Sequence, residues 1–182
     1  TPYIDIIRHG EPVGGRVFRG RTDHCLTERG CKQFQQRIER LGQHWQHVVS
    51  SPLLRCKQSA QWLASRQNIP LSIEANLAEI HFGEWENQLV DKVMAEHSIS
   101  QMWLDQGEPT AALQQRVLVA WQQLLKTYQG QRVLVVTHGG VIRMLAQHIL
   151  ELTANGMSKL SLPYAAVMSF KVIDSQYEGQ AQ

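Results

Sequence analysis

Two short apolar runs, Tyr3-Ile4-Asp5-Ile6-Ile7 and Val133-Leu134-Val135-Val136, each break off at a histidine followed by glycine. The first continues as Arg8-His9-Gly10-Glu11, the second as Thr137-His138-Gly139-Gly140. Runs this short and this rich in Ile and Val read as buried strands, and strands without polar alternation belong in a parallel sheet covered on both faces. Open parallel sheets bind ligands beyond the carboxyl ends of their strands, so both histidines are expected at one pocket. A third run, Val48-Val49, leads into Ser50-Ser51-Pro52-Leu53-Leu54-Arg55. Pro52 marks a helix start, and Arg55 then falls in the first turn, where free N–H groups favour an anion. Arg8, His9, Arg55 and His138 together suit a phosphate or a phosphoryl group in transit.

Between these runs, helical and extended segments alternate. Thr27 can cap a helix to about Leu41 that stops at Gly42. A second helix is expected from Leu53 to about Arg66, then a short strand at Pro70–Ile73. The stretch from Leu77 to about Gly107 reads as an irregular, partly helical insertion. A strong helix over Thr110–Tyr128 ends at Gly130; the Arg132–Thr137 strand, a Val141–Leu150 helix and a late edge strand at Val167–Ile173 follow. Strand–helix alternation of this kind predicts an α/β fold.

Several function classes drop out on composition. The net charge of +2 over 182 residues is too mild for nucleic-acid binding, so anion preference must be local. No apolar stretch is long enough to span a membrane, and a strand starting at residue 3 leaves no room for a signal peptide. Cys25, Cys31 and Cys56 lack metal-ligand spacing and read as reduced thiols, so a cytoplasmic location is expected.

Each candidate has a plainer role beside the chemical one. His9 reads as a nucleophile that takes a phosphoryl group onto a ring nitrogen; otherwise it is a structural histidine bonded to a carbonyl. Arg8 and Arg55 are planar forks suited to phosphate oxygens, or else salt-bridge partners. His138 would complete the cradle with the N–H groups of Gly139 and Gly140; otherwise the two glycines only make a tight turn. A metal would call for carboxylates or thiolates beside the histidines, whereas arginines stand there and repel a cation. Phosphoryl transfer also needs an acid for the leaving oxygen. Glu79 is the choice, with Glu84 and Glu86 read as solvated. The rest of the ligand is expected to extend toward Arg19, Arg21 and Thr22 and toward Phe82 and Trp85, unless those aromatic rings only anchor the insertion.

At these residues the chain resembles the histidine phosphatase superfamily, whose other well-known branch is the cofactor-dependent phosphoglycerate mutases. The resemblance runs through five ordered motifs: Arg8-His9-Gly10-Glu11; Gly20-Arg21-Thr22-Asp23 with Leu26-Thr27-Glu28-Arg29-Gly30; Ser50 to Ala60; Leu77-Ala78-Glu79 with Phe82-Gly83-Glu84-Trp85-Glu86; and Val135 to Gly140. It implies a three-layer α/β sandwich with a mostly parallel central sheet flanked by helices, phosphoglycerate mutase-like. One domain over 1–182 is expected, with the insertion at about 77–107 covering the site. It also implies His9 as phosphohistidine nucleophile, Glu79 as proton donor, Arg8, Arg55 and His138 as phosphate ligands, and no metal or cofactor. Mutases follow Arg-His-Gly-Glu with Ser or Thr and then Trp-Asn; here stand Pro12 and Gly14-Gly15, and mutases are longer. A small-molecule phosphomonoester is therefore the expected partner. Asn87 stands where many relatives have Gly, and this detail is similar to the α-ribazole-5′-phosphate phosphatase branch. A mutase, a broad-specificity sugar phosphatase, a phosphohistidine-protein phosphatase and a non-catalytic phospholigand-binding module are the alternatives.

Overall fold

Strands β1 (Tyr3–Arg8), β2 (His47–Ser50), β3 (Leu71–Ile73), β4 (Arg132–Thr137) and β5 (Val167–Lys171) form one sheet in the order β3-β2-β4-β1-β5. The computed structural model describes residues 1–97 and 107–173. The first four strands run parallel, and β5 closes the edge antiparallel to β1. Helices α1 (Glu28–Leu41) and α2 (Leu54–Gln67) cover one face; α4 (Thr110–Thr127) and α5 (Gly139–Ile149) cover the other. Two short helices, α3 (Val90–Glu96) and α6 (Ala154–Ser158), complete the helical set among the described residues.

The two-residue period of a strand sorts the side chains into two cores. Ile4, Ile6, Val133 and Val135 pack with Val117, Trp121 and Leu145 on the α4–α5 side. Ile7, Val48, Leu134 and Val136 pack with Phe34, Ile38, Ala60 and Leu63 on the α1–α2 side. Full burial of one such side chain stabilises by roughly 1.5–3 kcal/mol, so both faces reward parallel pairing. Asp5 is the one acidic residue within β1; it accepts from the Trp45 indole at 2.7 Å and from Arg132 at 3.2 Å.

The connections decide where a ligand goes. β1 and β4 lie side by side with Arg8 opposite Thr137, so His9 and His138 leave the sheet as neighbours. Yet the helix after β1 lies on one face and the helix after β4 on the other. The crevice between two strands whose helices diverge is the topological switch point of an open sheet.

Local signals place most helix ends. Thr27 accepts from the Gly30 N–H, and Gly42 takes the left-handed conformation at the end of α1. Three details differ from the sequence reading. Pro52 precedes α2, whose cap is Leu53. α5 begins at Gly139 rather than Val141. The single turn α6 has no counterpart in the expected elements. The stretch after Leu77 holds a 3₁₀ turn at Gly83–Trp85 and α3; its part at 98–106 lies outside the described residues.

Candidate active site

Backbone geometry first fixes the chemistry of His9. Its Nδ1 lies 2.7 Å from the carbonyl oxygen of Gly10, its own neighbour. A carbonyl only accepts, so Nδ1 carries the proton and Nε2 keeps its lone pair. The ring is 4% exposed. Burial, followed by the nearby positive charge of Arg55, holds its pKa well below the usual histidine range. Among the described residues nothing bonds Nε2, so His9 is a neutral imidazole whose basic nitrogen is unengaged.

A cavity of about 500 Å³ opens over it, and Arg8, Arg19, Arg55, Glu79, Phe18, Phe82 and Tyr164 belong to its wall. Arg55, 1% exposed, is anchored by donation to the carbonyls of Thr22 at 3.0 Å and Gly20 at 2.8 Å. Arg8 donates to the Leu162 carbonyl and lies over the Tyr164 ring at 4.6 Å. Among the described residues, the Nε atoms of both arginines are buried without a protein acceptor. A buried donor left unpaired costs roughly 1–3 kcal/mol, so two of them at one cavity make a site that gains by taking up an anion's oxygens.

His138 stands behind His9 rather than in the cavity wall. It is fully buried, its ring edge-on to His9 at 5.3 Å between centroids. Burial, then Arg55, keeps it neutral as well. The Ser51 Oγ lies 2.7 Å from its Nε2. The same oxygen accepts from the Leu53 N–H, so Ser51 ties the histidine to the start of α2. Cys56 sits against the same ring at 3.6 Å, its thiol pushed up by burial.

Glu79 faces both histidines' end of the sheet from the loop after a 3₁₀ turn at Ala75–Leu77. One oxygen accepts from the Ile80 N–H at 3.0 Å and the other from the Gly140 N–H at 3.1 Å. A Cβ at position 140 would overlap Glu79, so only glycine lets the carboxylate cap α5. Its segment is held by Arg116, which donates to the carbonyls of Asn76, Ala78 and Glu79 and pairs with Glu108 at 2.7 Å.

Several sequence expectations need correction here. The first N–H of α2, expected to be free for an anion, is taken by the Asp23 carboxylate at 2.7 Å. The Gly140 N–H is likewise spoken for by Glu79. Glu86 is not solvated: it accepts from the N–H groups of Gly20, Arg21, Thr22 and Phe82 and from the Thr22 hydroxyl at 2.6 Å. Burial raises its pKa, but those donors outweigh it and hold the carboxyl below its usual range. Thr22 therefore has its hydroxyl engaged away from the ligand. Arg21 is exposed and donates to the Glu79 carbonyl. Trp85, expected against a ligand, is 5% exposed and packs on Phe18 and His97. Its indole is an anchor for the insertion, since apolar area of that size is better hidden than left at a polar rim. Arg19, named with the ligand-facing loop, does line the cavity, and so does Tyr164, which the sequence did not single out. Tyr164 lies in an irregular segment far along the chain, where no local signal points to it.

Among the described residues, no group of three His, Cys, Asp or Glu side chains is placed to hold a metal ion, and no helix is long and apolar enough to cross a membrane.

Comparison with known proteins gives concordant results. A model of the histidine phosphatase superfamily (branch 1) matches residues 4–181. The protein of Erwinia tasmaniensis named "Probable phosphoglycerate mutase GpmB" is 29% identical, over 87% of this chain and 80% of its own. The structure of Bacillus stearothermophilus YhfR superposes with a TM-score of 0.86 at 25% identity, covering 95% of this chain and 92% of that one. The alpha-ribazole phosphatase from Shigella flexneri superposes with a TM-score of 0.80 at 26% identity, covering 94% and 91%.

Proposed function

The chain belongs to the histidine phosphatase superfamily and is a phosphatase; we propose that it is a metal-independent phosphomonoesterase working through a phosphohistidine at His9, with α-ribazole 5′-phosphate as its substrate. The observation that carries the chemistry is His9 itself: neutral, with Nδ1 tied to the Gly10 carbonyl and Nε2 free at a cavity lined by Arg8 and Arg55.

In the first step the Nε2 lone pair attacks phosphorus and the ester P–O bond breaks. The leaving oxygen takes its proton from the Glu79 carboxyl, so an alcohol departs. Arg8 and Arg55 hold the phosphoryl oxygens as charge spreads over them, and His138 supports the His9 ring from behind. In the second step water attacks phosphorus. Glu79, now a carboxylate, takes a proton from that water, the P–N bond breaks, and orthophosphate leaves with His9 restored. Arginines rather than a metal supply the positive charge.

The substrate reading rests on likeness to the Shigella flexneri alpha-ribazole phosphatase and on the apolar surface beside the cradle. Likeness to GpmB favours a mutase as second reading. Rapid quench with labelled substrate tests the chemistry: an acid-labile, base-stable phosphoenzyme is expected, absent in His9→Ala. An acid-stable adduct, or activity that prolonged EDTA treatment removes, overturns it. Across a panel of esters, α-ribazole 5′-phosphate should rank above 3-phosphoglycerate and sugar phosphates. Isomerisation that needs a bisphosphate primer would establish the mutase instead.

A further inference from the structure

The catalytic cavity has a second lobe of about 700 Å³ that shares Arg8, Glu79 and Phe82 with the first and runs between α4, α5 and α6. That is the size of an ordinary small-molecule site. Its character differs from that of the first lobe. Arg8, Arg16, Arg19 and Arg55 gather in the first. Ile80, Leu113, Met144, Met157 and Leu162 wall the second.

One face of α5 supplies the polar part of this wall. Gly140, Arg143, Met144 and Gln147 follow the spacing of a single helical stripe, and all four line the lobe. Arg143 is half-buried, yet among the described residues its guanidinium makes no hydrogen bond or ion pair with protein. The Gln147 side-chain amide is in the same condition. A half-buried cation and amide side by side in an otherwise apolar wall are built to meet an acceptor on a ligand.

Glu79 decides which lobe receives which half of the substrate. Its carboxylate lines both lobes and is fastened to the Gly140 N–H at the start of α5, where the second lobe opens. The leaving oxygen must sit beside that carboxyl, and the atoms beyond it continue along α5. Building on the phosphomonoesterase reading, we propose that the second lobe is the leaving-group site. It selects esters whose leaving group is a flat apolar ring system carrying a hydrogen-bond acceptor, which Arg143 and Gln147 bind. Met144 and Met157 provide the deformable apolar contact on which such a ring packs. Ring recognition therefore falls to α5 and α6, not to Trp85.

Kinetics with four esters test this: acetyl phosphate, whose leaving group is too small to enter the lobe, 1-naphthyl phosphate, 5-quinolinyl phosphate and α-ribazole 5′-phosphate. Ala154 is exposed and lines the lobe, so Ala154→Trp fills it from outside the core. This variant should raise KM at least tenfold for the three ring esters and leave acetyl phosphate turnover unchanged, which also certifies its folding. Arg143→Met should lower kcat/KM tenfold or more for the two esters with a ring nitrogen, a loss of the size expected for a hydrogen bond to a charged group, and spare naphthyl phosphate. Equal losses across all four esters, or no loss in either variant, overturn the assignment while the phosphatase reading stands. An unaltered protein that hydrolyses none of the four overturns both.

Discussion

Lowering the pH from 7.5 to 5.5 should destabilise this fold by about 3 kcal/mol through two buried side chains. His9 and His138 are 4% and 0% exposed, and burial followed by Arg55 keeps both imidazoles neutral well below the usual histidine range. In the unfolded chain each takes up a proton near the ordinary value of about 6.5. The unfolded state therefore binds more protons than the native state as pH falls, and stability falls with it. One pH unit below 6.5 this linkage amounts to about 1.4 kcal/mol for one histidine and twice that for two. The loss begins near pH 7 and continues downward until the native imidazoles themselves protonate. Glu86 and Glu108, held low by their hydrogen bonds, act in the same direction but only near and below the ordinary carboxylate range, around pH 4.5. Urea unfolding at the two pH values checks the sum, and His138→Gln isolates one share. The variant should lose about 1.4 kcal/mol less than the parent over that interval, whatever its stability at pH 7.5. An identical pH dependence in both proteins, or a His138 that titrates near 6.5 in the folded protein by NMR, would refute the reasoning.

Three further predictions concern single side chains. Glu86→Gln places an amide where five donors converge, and should lower stability by about 2 kcal/mol or more while weakening substrate binding through the Gly20–Thr22 loop; thermal melts and KM measure the two effects. Gly10→Ala would drive a Cβ into the Gly30 carbonyl oxygen, a backbone atom that cannot step aside. A loss of about 3 kcal/mol or insoluble expression is expected, and a normally stable variant would contradict the close approach. Glu79→Gln should slow alkyl phosphates by roughly 10²–10⁴ while largely sparing nitrophenyl phosphate, whose leaving group needs no proton; equal losses would move the proton-donor role elsewhere.

The elements that the sequence made legible are those with a local cause. β1 and β4 announce themselves as unbroken apolar runs because a strand buried on both faces has no polar side to show. Thr27 and Gly42 bracket α1 because a cap and a left-handed residue act on their own turn. His9 and His138 could be paired before any coordinates, since both leave parallel strands at the same edge. What stayed illegible depends on partners far along the chain. The start of α5 at Gly139 follows from a carboxylate some sixty residues earlier.

Glu86 and Trp85 make the same point from opposite directions. In sequence Glu86 is an exposed-looking loop acid, and its role appears only where the Gly20–Thr22 loop folds onto it. Trp85 reads equally as a ligand platform or an anchor, and the choice belongs to Phe18 and His97, which cover it. Residue types and their order thus set the chemistry available: a histidine after a strand, arginines for an anion, a carboxyl for a proton. Which N–H groups remain free, and where Glu86 and Trp85 are buried, were settled by long-range packing. Hydrogen bonds between distant segments leave no period or composition in the chain to read.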